Sequence, residues 1–219
     1  MVRGLGKVLG LGLVLTALFA GAAIADAPGA RPIKGNFDAP GFDIASATPY
    51  GKTLPPIGYV EFCGRGADEC KYNDGKAEAL ELSTENWDQI TQVNRYVNTK
   101  IRPATDQELY GVPDYWTYPV SAGDCEDYVL LKKRYLVELG FKPDELLITV
   151  VLDENREGHA ILTVLTAKGD YVLDNRRQEV LRWDQTGYIF LKRQSQEQAT
   201  HWVSLQKSAP QVTVSTRTK

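Results

Sequence analysis

Apolar residues recur every three or four positions at Trp87, Ile90, Val93, Val97 and Ile101. That period predicts an amphipathic helix over 84–101, capped by Ser83 or Thr84 and ended by Pro103. A second helical period starts at Cys125, where Tyr128, Val129, Tyr135, Leu136 and Leu139 form an apolar face. Asp124 is placed to cap that helix, Asp127 to reach back to the cap, and Gly140 to end it in the left-handed conformation. Downstream the pattern changes to short β-branched runs at 146–152, 160–166, 171–173, 188–191 and 201–205, which predict strands. Lys168-Gly169-Asp170 marks a turn that makes the second and third of these an antiparallel pair. Helices followed by strands predict an α+β fold. The stretch 102–122 has no period and holds Pro103, Gly111, Pro113 and Pro119. So long a connection in a compact domain lines a site or forms a lid, which makes its Trp116 a candidate for a substrate cleft, with plain packing the alternative.

The first residues read as an export signal. Arg3 and Lys7 precede an apolar stretch from Leu9 to Ala20, and Ala23-Ile24-Ala25 matches a small-residue cleavage site. An uncleaved anchor is the alternative. The expected organisation is a signal peptide over 1–25, an extended Pro/Gly/Ala-rich lead-in over 26–48, one domain over 49–206 and a flexible tail over 207–219. The mature chain, about 190 residues, suffices for one well-buried domain, and a monomer is expected. Net charge of −3 and a pI near 5.5 leave no electrostatic footprint for nucleic acid. The Lys132-Lys133-Arg134 and Arg176-Arg177 clusters are expected on solvated faces.

Three cysteines refine the picture. Cys63 and Cys70 are close enough in sequence to close a short bridge in an exported protein, with metal ligation the alternative. Cys125 is then left over, as an intermolecular link, an inert buried thiol or a reactive one. Its place in the first turn of the predicted helix favours the last, because unpaired N–H groups and the positive helix end stabilise a thiolate and can receive an oxyanion. A thiol nucleophile needs an imidazole to take its proton and a third group to orient the ring. His159 and Asp174, on the two paired strands, are the candidates, and His201 is assigned a structural role. A tight turn centred on Lys168-Gly169 leaves His159 and Asp174 four residues out of register, roughly 13 Å along a strand, so a shifted pairing or a wider turn is required.

The acids beside Cys125 pose a problem, since Asp124, Glu126 and Asp127 raise a thiol pKa. Either they point into solvent, or a hard divalent cation such as Ca²⁺ binds their oxygens and restores the thiolate.

Taken together, Asp114-Tyr115-Trp116, Gly123-Asp124-Cys125-Glu126-Asp127-Tyr128, Gly158-His159-Ala160-Ile161-Leu162, Val172-Leu173-Asp174-Asn175 and the Val93-Asn94 and Val97-Asn98 pairs resemble the bacterial transglutaminase-like cysteine proteinases, whose LapG-like members are periplasmic. The resemblance implies a papain-like, transglutaminase-like core in which a helix carrying the nucleophile packs on an antiparallel sheet carrying His and Asp. It implies Cys125 as nucleophile, His159 as general base and acid, Asp174 as its partner, and calcium on Asp124 and Glu126, with Asp127 beside them. It also implies a protein substrate at the surface or in the periplasm, and an inner-membrane regulatory receptor as partner. The Cys63/Cys70 loop departs from the adhesin-cleaving members. A thiol endopeptidase, periplasmic or secreted, is therefore expected. A transamidase shares every residue of that mechanism, and a non-enzymatic periplasmic binding module is the remaining class.

Overall fold

The computed structural model describes residues 46–71 and 78–207. The predicted signal peptide, nearly all of the lead-in and all but the first residue of the tail lie outside the described residues.

Along the described chain run β1 (Lys52–Thr53), α1 (Ile57–Gly64), α2 (Thr84–Lys100), β2 (Arg102–Pro103), α3 (Asp106–Tyr110), β3 (Ala122–Gly123), α4 (Cys125–Glu138), β4 (Leu146–Leu152), β5 (Gly158–Thr166), β6 (Gly169–Leu173), β7 (Leu181–Arg182), β8 (Ile189–Gln194) and β9 (Trp202–Ser204). Seven strands form an antiparallel sheet in the order β1-β9-β8-β4-β5-β6-β7. Helix α4 packs on β5, and α2 packs on α4. The main core lies between these helices and the sheet, built on Ile90, Val97, Leu130, Leu136, Ile148, Leu162 and Leu173. Val151, Ile161, Val172 and Phe190 form a smaller cluster. The α+β architecture expected from the period change is therefore the one observed.

Local chemistry explains the two long helices. Ser83 Oγ accepts from Asn86 N at 3.2 Å while Asn86 Oδ1 accepts from Ser83 N at 2.8 Å, a reciprocal cap at the start of α2. Gly140, at φ +101°, supplies the left-handed residue that follows α4. Asp124 occupies the N-cap position of α4, but its side chain makes no capping bond. That carboxylate accepts instead from the backbone N–H of Asp106 at 3.3 Å.

Four expectations are corrected. Lys132 and Lys133 are buried in the core, not solvated, with 0% and 1% exposure; only Arg134 of that run reaches solvent. The bridged stretch 62–70, read as a loop, begins inside α1, whose largely apolar sequence hides its helical period. The segment 102–122 is not without structure. It holds α3, capped by Thr105 and Glu108, and the short parallel pair β2–β3. The β5–β6 hairpin pairs Thr166 with Gly169, so its turn is Ala167-Lys168, one residue earlier than expected.

Candidate active site

The helix start is held in place by the β2–β3 pair. Arg102 N donates to Ser121 O at 2.9 Å and Ala104 N to Gly123 O at 3.0 Å, which lays 103–105 alongside 123–125. Gly123 tolerates no side chain, because a Cβ there would meet Asp127 Oδ2 at 2.5 Å. At this junction a pocket of about 310 Å³ opens, lined by Pro103, Thr105, Glu108, Cys125, His159 and Arg176 among others.

The observed hairpin register places Asp174 opposite Ile161, two residues from His159 rather than four. An offset of two, about 7 Å along a strand, keeps both side chains on one side of the sheet and is short enough for them to span. They meet: His159 Nε2 lies 2.9 Å from Asp174 Oδ1, with both residues buried. Nε2 is thus committed, and Nδ1 is the ring nitrogen left for proton exchange. Asp174 is fully engaged. Its Oδ1 also accepts from Arg176 N at 3.0 Å, and its Oδ2 accepts from the Tyr188 hydroxyl at 2.6 Å. The loop that follows it is tied to α2, where Asn98 Nδ2 donates to the Asp174 carbonyl at 2.8 Å and Asn94 Nδ2 to the Arg177 carbonyl at 3.0 Å. Burial pushes the Asp174 carboxyl upward, but the hydrogen bond and charge of His159, with Arg176 N–H and Tyr188, outweigh it and hold the group at about 2.

Cys125, the first residue of α4, forms the facing wall. Its thiol donates to Glu126 Oε2 at 3.1 Å. Burial pushes the thiol pKa well up, and the charges of Glu126 and Asp124 push it further. Burial also lifts Glu126 to about 9, helped by the Asp124 charge. Asp127 is lifted to about 8 by burial, the Thr117 N–H only partly offsetting it. The helix-end effect expected to favour a thiolate is therefore opposed by a desolvated acidic cluster.

The fold gathers that cluster from two directions. One oxygen each of Asp106, Asp114 and Glu126 lie within 4.8 Å of one another, as do those of Asp106, Asp124 and Asp127. Among the described residues, Asp106 Oδ1, Asp124 Oδ1 and Asp127 Oδ2 are buried without a hydrogen-bond partner. An all-carboxylate donor set with unpartnered buried oxygens fits a hard divalent cation, which takes oxygen ligands and supplies the missing positive charge. Asp124, Glu126 and Asp127, expected as ligands, lie in this acidic cluster together with Asp106 and Asp114, which were not anticipated. The capping pair Thr105…Glu108 was the available signal that Asp106 begins a helix.

Trp116 does not line the pocket. It is 4% exposed in the main core, packs edge-on against Tyr59 at 5.5 Å and donates from Nε1 to Asp114 Oδ1 at 3.0 Å, which holds that acid in place. Cys63 and Cys70 form the anticipated disulfide, with Cα atoms 5.6 Å apart. It closes a loop that carries Arg65, whose guanidinium bonds the Trp116 carbonyl and lies 4.4 Å from the Tyr115 ring centroid.

A cysteine at a helix start, facing a His–Asp pair on an antiparallel sheet, is the layout of the papain-like and transglutaminase-like thiol enzymes. The profile of the family described as bacterial transglutaminase-like cysteine proteinase BTLCP matches residues 49–210, and the chain belongs to that family. No curated protein matches the chain. Solved structures of LapG from Legionella pneumophila are similar. One is 26% identical over 49% of this chain and 63% of its own length, with a TM-score of 0.44. A calcium-bound form is 22% identical over 59% of this chain and 75% of its own length, at 0.48. An EGTA-treated form is 26% identical over 49% and 62%, at 0.44. The chain thus spans just under two thirds of the length of the first of these relatives. Among the described residues no helix is long and apolar enough to cross a membrane.

Proposed function

We propose that this chain is an extracytoplasmic thiol endopeptidase that cuts a protein substrate through Cys125, His159 and Asp174, with calcium held at the acidic cluster. The observation that carries the proposal is the shared pocket of Cys125 and His159, with the imidazole oriented by Asp174 through Nε2. His159 Nδ1 takes the thiol proton as sulfur attacks the scissile carbonyl. Backbone N–H groups at the start of α4 receive the oxyanion, and the imidazolium returns the proton to the leaving amine. Water, deprotonated by the same nitrogen, then releases the acyl-enzyme. Asp174 does not take the proton. It keeps the ring in one tautomer and stabilises its charged form.

Asp106, Asp114, Asp124, Glu126 and Asp127 would hold the cation, which would supply the positive charge that offsets the acids opposing the Cys125 thiolate. Thr117 N–H and Trp116 Nε1–H fix Asp127 and Asp114 for that role.

The test is incubation of the mature protein, with calcium, in an extracytoplasmic protein extract. New N-termini that vanish with Cys125→Ala are expected, with little incorporation of a labelled primary amine. Amine incorporation without new termini would make the protein a transamidase, and neither signal would make it a binding module.

A further inference from the structure

The loop closed by Cys63 and Cys70 reaches two separate parts of the chain, one with each arm. Its Arg65 arm holds the connection that leads to α4: the guanidinium donates to the Trp116 carbonyl and lies 4.4 Å from the Tyr115 ring centroid. Its Glu69 arm holds α4 itself, because Glu69 Oε1 lies 2.8 Å from Lys133 Nζ in an ion pair whose side chains are both buried. Arg65 is exposed, and its partners on the connection are a carbonyl and a ring, not a carboxylate. A planar guanidinium suits that pair of contacts, since it stacks and donates at once.

Those two parts are the ones that supply most of the acidic cluster. The connection brings Asp114, and each of the three residues after it fixes an acid. Tyr115 N–H donates to Asp106 Oδ2, Trp116 Nε1–H to Asp114 Oδ1 at 3.0 Å, and Thr117 N–H to Asp127 Oδ1 at 2.9 Å. The start of α4 brings Asp124, Glu126 and Asp127. The peptide unit between Trp116 and Thr117 is therefore held at both ends, its oxygen by Arg65 and its N–H by Asp127. A peptide unit is planar, so letting go of the oxygen frees the N–H to turn away from the acid.

We propose that Arg65 is a positioning residue for the cation site and that the Cys63–Cys70 bridge makes the site redox-sensitive. With the bridge closed, the loop clasps the connection to α4 and keeps the acids at the spacing that binding needs; reduction loosens the clasp and weakens binding. Both cysteines are half-buried, and a small dithiol is the class of reductant required. Its thiolate attacks one sulfur, forms a mixed disulfide and releases the other cysteine as a thiolate. Its second thiol then displaces the first cysteine, so that two electrons reach the pair, the reductant leaves as a disulfide and its two protons end on the freed thiols. Linkage makes the effect reciprocal: a cation that binds the bridged form more tightly makes the bridge harder to reduce by the same factor. The inference rests on the cation reading above and not on proteolysis.

Calcium chloride titrated calorimetrically into EGTA-treated, desalted mature protein reads the effect directly. Arg65→Met, with the bridge intact, should weaken binding about fivefold and Cys63→Ser/Cys70→Ser about tenfold. Combining them should add little, because both loosen the same clasp. The wild-type pair, equilibrated in a dithiothreitol redox buffer and counted by alkylation and mass, should be about 30 mV harder to reduce in saturating calcium, which is that tenfold factor for a two-electron couple. A loop that only stabilises the fold would lower the unfolding midpoint of chelated protein and leave the dissociation constant of the folded protein unchanged. Equal constants in wild type and Arg65→Met overturn the inference while leaving the cation reading in place, and they decide alone if the serine pair does not fold. Wild-type protein that takes up no calcium overturns both.

Discussion

The two walls of the pocket are both buried and both acidic, yet they solve the problem of a buried carboxylate in opposite ways. On the sheet side Asp174 receives donors from His159, Arg176 N–H and Tyr188 and stays ionised at about 2. On the helix side Asp106, Asp124 and Asp127 each leave a buried oxygen without a partner, and burial lifts Asp127 to about 8 and Glu126 to about 9. One wall is complete; the other is left without a balancing positive charge among the described residues. In the proposed mechanism the geometry that orients His159 is thus built in, while the ionisation of Cys125 would depend on a bound cation.

The largest effect should come from breaking the complete wall. Asp174→Asn keeps the shape but loses the charge that fixes the imidazole, and turnover should fall by about 10⁴ with the fold largely spared. Steady-state rates beside a thermal unfolding curve check this. A drop below tenfold would mean that Asn98, Tyr188 and the loop orient His159 without the carboxylate.

Next, the walls should respond to pH with opposite signs. Asp127 and Glu126 have folded pKa values above their unfolded ones. Their contribution is present below about pH 4 and is lost as pH rises toward 8 to 9. Asp174 has a folded value below its unfolded one. Its contribution, about 2 kcal/mol, is present above about pH 4 and lost as pH falls through 2. Chelated protein should therefore be less stable at pH 8 than at pH 5. Calcium at a hundredfold its dissociation constant should restore about 2.7 kcal/mol at pH 8, and Asp106→Asn, which removes the acid shared by both oxygen groups, should abolish that gain. Melting curves with and without EGTA decide it: equal stability at both pH values in chelator would mean that the helix-side wall is also complete.

The smallest effect tests how the incomplete wall is braced. A Cβ at Gly58 of α1 would run into Asp114 Oδ2 and the Trp116 ring. Gly58→Ala should displace Asp114, costing about 1 kcal/mol and weakening calcium binding about fivefold, while the His159–Asp174 wall is unaffected. Calorimetric titration reads the affinity. An unchanged constant would show that Asp114 is not a ligand.

The sheet-side wall was legible in the chain because its residues sit on periodic elements. His159 opens a β-branched run, Asp174 closes the next, and parity alone puts both on one side of the sheet. Only the hairpin centre was misplaced, by a single residue, since Gly169 suggested the turn but Ala167-Lys168 forms it. The helix-side wall was half legible. Asp124, Glu126 and Asp127 share the helix start with Cys125, whereas Asp106 and Asp114 arrive through an aperiodic connection that tertiary packing alone folds back. Lys132 and Lys133 misled for a related reason. Lysine is almost never fully buried, so a lysine pair reads as a surface until Glu69 and Gln194 are seen around one of them. Trp116 read equally well as cleft or packing, and the fold buries it in the core.

Both outermost strands of the sheet, β1 and β7, are only two residues long. A long bare edge would capture any extended polypeptide by lending it a row of backbone partners, irrespective of side chains. Edges this short offer almost no such row. Among the described residues a passing extended chain would thus find little backbone to zip onto, so in the proposed reaction a segment to be cut would have to be held by what its side chains present at the pocket mouth.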